Sequence, residues 1–151
     1  MEEKLSMEAF ERYVMETLEL KQSDAGMYSP LVLAYIGDAV YELIIRTMVV
    51  NHGNCPVNLM HRKSSSLVKA SAQAELLHLI MEELTEKEMA VYKRGRNAKS
   101  ATAAKNATIQ DYRTATGFEA LIGYLYLNGD KERLIGLVGR ALERKGELGK
   151  A

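Results

Sequence analysis

The chain is 151 residues long, 47% of them hydrophobic, and its 20 Lys and Arg balance 20 Asp and Glu. That is enough apolar material for the core of one globular domain and leaves no room for a second folded unit. Zero net charge on its own argues mildly against a nucleic-acid-binding protein, and a lone cysteine, Cys55, excludes an intrachain disulfide and a cysteine zinc cluster.

In chain order, Phe10, Tyr13, Val14, Thr17 and Leu18 recur at spacings of three and four and mark one face of an N-terminal helix. Ser29 and Pro30 then read as the cap and first position of a long helix that Asn51, His52 and Gly53 close. Between them Leu31, Leu33, Ile36, Val40, Leu43, Ile44, Met48 and Val49 cover more than one face, the pattern of a central helix. Asp38 stands in the middle of this segment. Pro56 opens the next helical region, carrying Leu59, Met60, Leu67, Val68, Leu76, Leu77 and Ile80; Ser64, Ser65 and Ser66 are the expected point of bending or division. Thr85 and Glu88 form a capping box for a short helix through Val91 and Tyr92. Residues 111–127 form another helix, with Glu119 in an apolar stretch, ended by Asn128 and Gly129. Asp130 caps the last helix, whose stripe is Leu134, Leu137, Val138, Ala141 and Leu142, and residues 145–151 read as a short frayed tail. No repeat or strand-like alternation competes, so the expected class is all-α, a helical bundle.

No N-terminal apolar run resembles a signal peptide, and the apolar stretch of residues 31–50 is interrupted by Asp38, Glu42 and Arg46. A soluble, cytoplasmic protein is expected.

An ionised carboxylate in an apolar helix is expensive unless a cation, a set of hydrogen bonds or a metal accompanies it. Taken singly, Asp38 or Glu119 is well explained by an Arg or Lys partner. Two such carboxylates on two apolar helices suggest a shared metal. Glu42, one turn after Asp38, is expected to pair with Arg46 instead. His52, His61 and His78 lack ligand spacing and read as surface or packing residues.

Charge is segregated along the chain. Lys93, Arg94, Arg96, Lys99 and Lys105 follow one another without an intervening acid, whereas Glu82, Glu83, Glu86 and Glu88 lie just upstream. Residues 95–108 are small, polar and basic, without periodicity, and read as a long loop between two helices. A solvated linker has this composition; so does a surface that binds phosphate oxygens and ribose hydroxyls.

Two segments, Gly37-Asp38-Ala39-Val40 and Phe118-Glu119-Ala120-Leu121-Ile122-Gly123, resemble the two catalytic motifs of the ribonuclease III family. The Mini-ribonuclease III branch, which looks like the nuclease domain alone, is the nearer match. The segments Ala34-Tyr35-Ile36-Gly37-Asp38-Ala39, His61-Arg62-Lys63-Ser64-Ser65, Ser71-Ala72-Gln73-Ala74-Glu75 and Lys93-Arg94-Gly95-Arg96-Asn97-Ala98-Lys99-Ser100 all resemble that branch. The likeness runs from about residue 29 to 144. It implies a ribonuclease III-like endonuclease fold over residues 1–151, without the double-stranded RNA-binding domain that longer relatives carry.

The resemblance also implies an activity: a Mg²⁺-dependent endoribonuclease acting on double-stranded RNA, with maturation of the 23S ribosomal RNA precursor as the expected task. Asp38 and Glu119 are the implied catalytic residues and metal ligands. Mg²⁺, with Mn²⁺ as a possible substitute, is held through one or two carboxylates, waters and the substrate phosphate, which these two acids suffice to provide. Lys93, Arg94, Arg96, Asn97, Lys99, Ser100 and Lys105 are the expected RNA contacts. Tyr35 stands where the resemblance places an aromatic that inserts into the partner of a homodimer, although a place in the subunit's own core is equally open to it. The chain departs from the longer enzymes at Ala34 and Thr116, where their pattern carries acids, and this leaves metal stoichiometry open. Loss of two acids also admits a non-catalytic dimeric RNA-binding or ribosome-assembly protein. A helical interaction module, with both carboxylates ion-paired in the core, is the third reading.

Overall fold

The computed structural model describes residues 7–98 and 108–149. Among them are seven α-helices and no strand: α1 (Met7–Thr17), α2 (Pro30–Asn51), α3 (Val57–Val68), α4 (Ala70–Ile80), α5 (Glu86–Arg96), α6 (Ile109–Leu127) and α7 (Lys131–Lys145). Short 3-10 turns occupy Ala25–Met27 and Met81–Glu83.

The local signals set the helix starts. Ser29 accepts a hydrogen bond from the Val32 amide, Pro30 follows at the first helical position, and α2 begins there. The Thr85 hydroxyl accepts from the Glu88 amide at 3.1 Å while the Glu88 carboxylate accepts from the Thr85 amide at 2.9 Å, which closes the capping box of α5. Glu88 has a second function that its capping role conceals. Buried, it takes a two-pronged bond from Arg133 of α7, through Nε at 2.9 Å and Nη2 at 2.8 Å.

Several boundaries differ from those read in the sequence. The division between α3 and α4 falls at Lys69, in extended conformation, and not in the serine cluster. Ser64 and Ser66 stay helical because their hydroxyls donate to carbonyls three and four residues back, so their polarity is absorbed locally. Helix α5 runs on through Arg96, so Lys93 and Arg94 are helical and the aperiodic stretch starts later than Gly95. Thr108 caps α6 by accepting from the Asp111 amide, which starts that helix at Ile109. Asp130 sits at the cap position of α7 but makes no side-chain capping bond; its carboxylate accepts from Asn128 Nδ2.

Helix α6 is the axis of the bundle. It is buried almost continuously from Thr114 to Leu125, and α2, α4 and α5 pack around it. The core joins Leu33, Tyr41 and Ile45 of α2, Leu76, Leu77 and Ile80 of α4, Phe118 and Leu121 of α6 and Leu137 of α7. Tyr41 meets Phe118 edge to face at 5.5 Å.

The apolar residues of α2 cover more than one face, as expected, but only one side of the helix is buried. Leu33, Ala34, Gly37, Tyr41, Ile45 and Val49 face the bundle, while Leu31, Val32, Tyr35, Leu43 and Val50 face out. Helix α1 likewise leaves Phe10 and Tyr13 exposed, and its Glu11 reaches Lys131 at 2.9 Å. No helix of the described residues is long and apolar enough to cross a membrane.

Candidate active site

The site forms where α2 and α6 cross. A Cβ placed on Gly37 would overlap the carbonyl oxygen of Glu119, and one on Gly123 would overlap the carbonyl oxygen of Leu33. Only hydrogen at both positions lets the two backbones approach this closely. Asp38 follows Gly37 directly and Glu119 lies one turn before Gly123, so the close crossing brings the two carboxylates together.

Asp38 is exposed, not buried as its apolar flanks suggest; it lies at the rim of the bundle-facing side of α2. Glu119 is half-buried. Burial, followed by hydrogen bonding to Asp38 and repulsion from its charge, pushes the Glu119 carboxyl up to about 8, against a smaller lowering from Gln73 and with Glu42 adding to the rise. Among the described residues neither acid pairs with an Arg or Lys. Glu42 accepts from Arg46 Nη2 at 2.8 Å, the ion pair expected one turn along α2.

Two carboxylates held this close, with the inner one raised by burial and by its neighbour, are a suitable seat for a hard divalent cation. The donors are oxygens, the outer one faces solvent where waters complete a coordination sphere, and a cation would relieve the mutual repulsion. Among the described residues no three His, Cys, Asp or Glu side chains gather into a fuller metal-binding group. At the two positions where the longer enzymes carry acids, Ala34 and Thr116 are buried, and the Thr116 hydroxyl donates to the Tyr112 carbonyl at 3.0 Å. Neither position adds a ligand.

Sequence reasoning missed Gln73. Its side chain, on α4, is buried and its Nε2 reaches Glu119 Oε2 at 3.4 Å. The signal was the one that marked Asp38 and Glu119, a polar residue set among apolar helix positions, here Ala72 and Ala74.

The cations lie nearby. Lys93, Arg94 and Arg96 form the last turn of α5, and Asn97 is its C-terminal cap. A Cβ on Gly95 would press on Gly117 and Ala120 of α6, so this end of α5 lies against the turn of α6 that carries Glu119. Lys93, Arg94 and Asn97 are exposed; Arg96 lies 5.6 Å from the Tyr92 ring and its Nε donates to Asn97 Oδ1. Lys99, Ser100 and Lys105 lie outside the described residues. Tyr35 is 81% exposed, which removes it from the subunit's own core.

Comparison with known proteins agrees with this geometry. The model of the Ribonuclease III domain matches residues 31–130, a span that contains both acids and the end of α5. The Mini-ribonuclease 3 of Thermoanaerobacter sp. is 57% identical over 121 residues, covering 80% of this chain and 85% of that protein. The Mini-ribonuclease 3 of Clostridium tetani is 55% identical over 118 residues, 77% of this chain and 78% of its own length. The crystal structure of a Fusobacterium nucleatum protein superposes with a TM-score of 0.74 at 32% identity, covering 83% of this chain and 99% of that one. With the domain match spanning most of the chain and relatives this similar along most of their length, the chain belongs to the ribonuclease III family, in its Mini-ribonuclease III branch, and is an endoribonuclease.

Proposed function

We propose that this endoribonuclease is Mg²⁺-dependent and cuts double-stranded RNA as a homodimer, with Asp38 and Glu119 as the catalytic metal ligands. The observation that carries the reading is the meeting of those two carboxylates at the glycine-lined crossing of α2 and α6. When bound there, Mg²⁺ supplies an activated water and neutralises charge on the scissile phosphate. The chain's own residues do the rest. Asp38, on the open side, meets substrate and solvent; Glu119, behind it, is the more enclosed ligand. Lys93, Arg94, Arg96 and Asn97 at the end of α5 grip the phosphate backbone beside the acids, and Lys99, Ser100 and Lys105, later in the sequence, are further RNA contacts.

The exposed side of α2 supports the dimer reading. Leu31, Val32, Tyr35 and Leu43 form an apolar stripe running past Asp38. A stripe of this kind on a helix rarely stays in water, and a twofold contact along it sets two acidic sites near each other, as cutting both strands of a duplex requires. We take the 23S ribosomal RNA precursor as the substrate, the cytoplasm as the place of action and residues 1–151 as a single nuclease domain.

A perfect RNA duplex incubated with the protein in Mg²⁺, with and without EDTA, tests the reading. Cleavage of both strands that EDTA abolishes is the expected result. Cleavage that persists in EDTA rejects the metal assignment, and tight binding without cutting favours an RNA-binding or ribosome-assembly role.

A further inference from the structure

Gln73 is the third polar side chain at the acidic pair. It is 3% exposed and lies between Ala72 and Ala74, both buried, so packing alone would be served by an apolar residue. Its Nε2 donates to the Val68 carbonyl at 2.8 Å and reaches Glu119 Oε2 at 3.4 Å. One residue earlier, the Tyr41 hydroxyl donates to the Leu67 carbonyl at 2.6 Å. Leu67 and Val68 are the last two residues of α3, and carbonyls at a helix C-terminus have no partner within the helix. Side chains from α2 and α4 supply those partners at the extended Lys69 junction.

The amide orientation is fixed by this arrangement. Reversing it would set Oε1 against the Val68 carbonyl, oxygen against oxygen, so the nitrogen faces the carbonyl and its second hydrogen is available to Glu119. The bond to Val68 therefore determines where the donor to Glu119 stands. A glutamate has one more rotatable bond than an aspartate, and with no acids at positions 34 and 116 the orientation of each remaining carboxylate matters more. We infer that Gln73 is a positioning residue: anchored on the Val68 carbonyl, it holds the Glu119 carboxylate in place against Asp38. This rests on the reading of Asp38 and Glu119 as the metal-holding pair.

The test uses Q73M, which keeps length and apolar bulk but removes both N–H groups. Mn²⁺ binding to the RNA-free protein is measured from the spectroscopic signal of free Mn²⁺, alongside the thermal midpoint and duplex-RNA affinity in Ca²⁺. The Mn²⁺ dissociation constant should rise about tenfold to a hundredfold, the usual effect of losing a partner that orients a metal ligand, with RNA affinity unchanged. Y41F, which frees the neighbouring Leu67 carbonyl, should lower the midpoint and keep parental Mn²⁺ affinity. If Q73M does not fold, Q73N carries the test, because its shorter stem cannot span both acceptors. Parental Mn²⁺ affinity in a folded Gln73 variant overturns the inference. So does an equal loss in Y41F, which would make the effect a general loosening of the junction. A parent protein that binds no Mn²⁺ overturns the metal reading itself, and the inference with it.

Discussion

The crossing of α2 and α6 and the C-terminal end of α5 are neighbours built on opposite terms. At the crossing, two glycines leave no room for a methyl group, the inner carboxylate is half-buried, and its partners come from α2 and α4. At the end of α5, the cations stand at the surface, and only Arg96 leans on a ring. The first region is set by packing and should fail abruptly when altered. The second acts through long-range charge in water and should respond in proportion to charge and salt. A nuclease needs both: atoms held to a fraction of an ångström where bonds change, and an adaptable grip on a backbone of repeating phosphates.

The largest effect should come from the acids. D38N and E119Q keep shape but remove the charge proposed to hold the cation, so single-turnover cleavage of a duplex in Mg²⁺ should fall by at least about 100-fold, since even partners one shell out commonly matter to that degree. Near-parental cleavage in either variant would break the assignment. The same substitution at Glu119 has a stability signature. In the metal-free protein this carboxyl titrates near 8, above the ordinary range of an unfolded glutamate. The stability it contributes is fully present below that ordinary range and is lost as pH rises toward 8. The thermal midpoint in EDTA should therefore decline between about pH 5 and 8, and E119Q should flatten that decline. Added Mg²⁺ should bind more tightly as pH rises through the same range, because it displaces the proton.

Next in size is the crossing itself. G37A forces a methyl group into the backbone of α6, and overpacking of this kind costs about 3 kcal/mol or more where the facing atoms are backbone. Urea unfolding of the metal-free protein measures it; a cost below about 1 kcal/mol would show that the helices can part without penalty.

The proposed dimer contact comes third. Y35A should shift the protein toward monomer in sedimentation across a concentration series, with little change in the melting of the monomer, because the ring is not part of the subunit's own core. An unchanged dimer would remove Tyr35 from the interface.

The smallest and most graded effect belongs to the cations. Replacing Arg94, Arg96 and Lys99 with Ala should weaken duplex binding in Ca²⁺ and flatten its dependence on KCl by about one unit for each phosphate no longer neutralised. Cleavage at saturating RNA should change less, since the role proposed for these groups is to position the duplex. Identical salt slopes for parent and variant would return the segment to the role of a linker.

The sequence by itself determined the helical class, most helix starts and the two acids worth testing. Caps such as Ser29 with Val32, or Thr85 with Glu88, join residues three apart, so their geometry is written locally. Asp38 and Glu119 are visible because a charge among apolar residues contradicts its surroundings, and the motifs around them carry the family likeness. Only the tertiary structure decided the rest. An apolar helix such as α2 does not announce which of its sides will be covered, and Asp38 consequently stands at the rim. Gln73 meets Glu119 across 46 positions and Arg133 meets Glu88 across 45. Contacts of that range depend on how helices cross, and the crossing depends on hydrogen-sized gaps at Gly37 and Gly123 that match only once α2 and α6 are side by side.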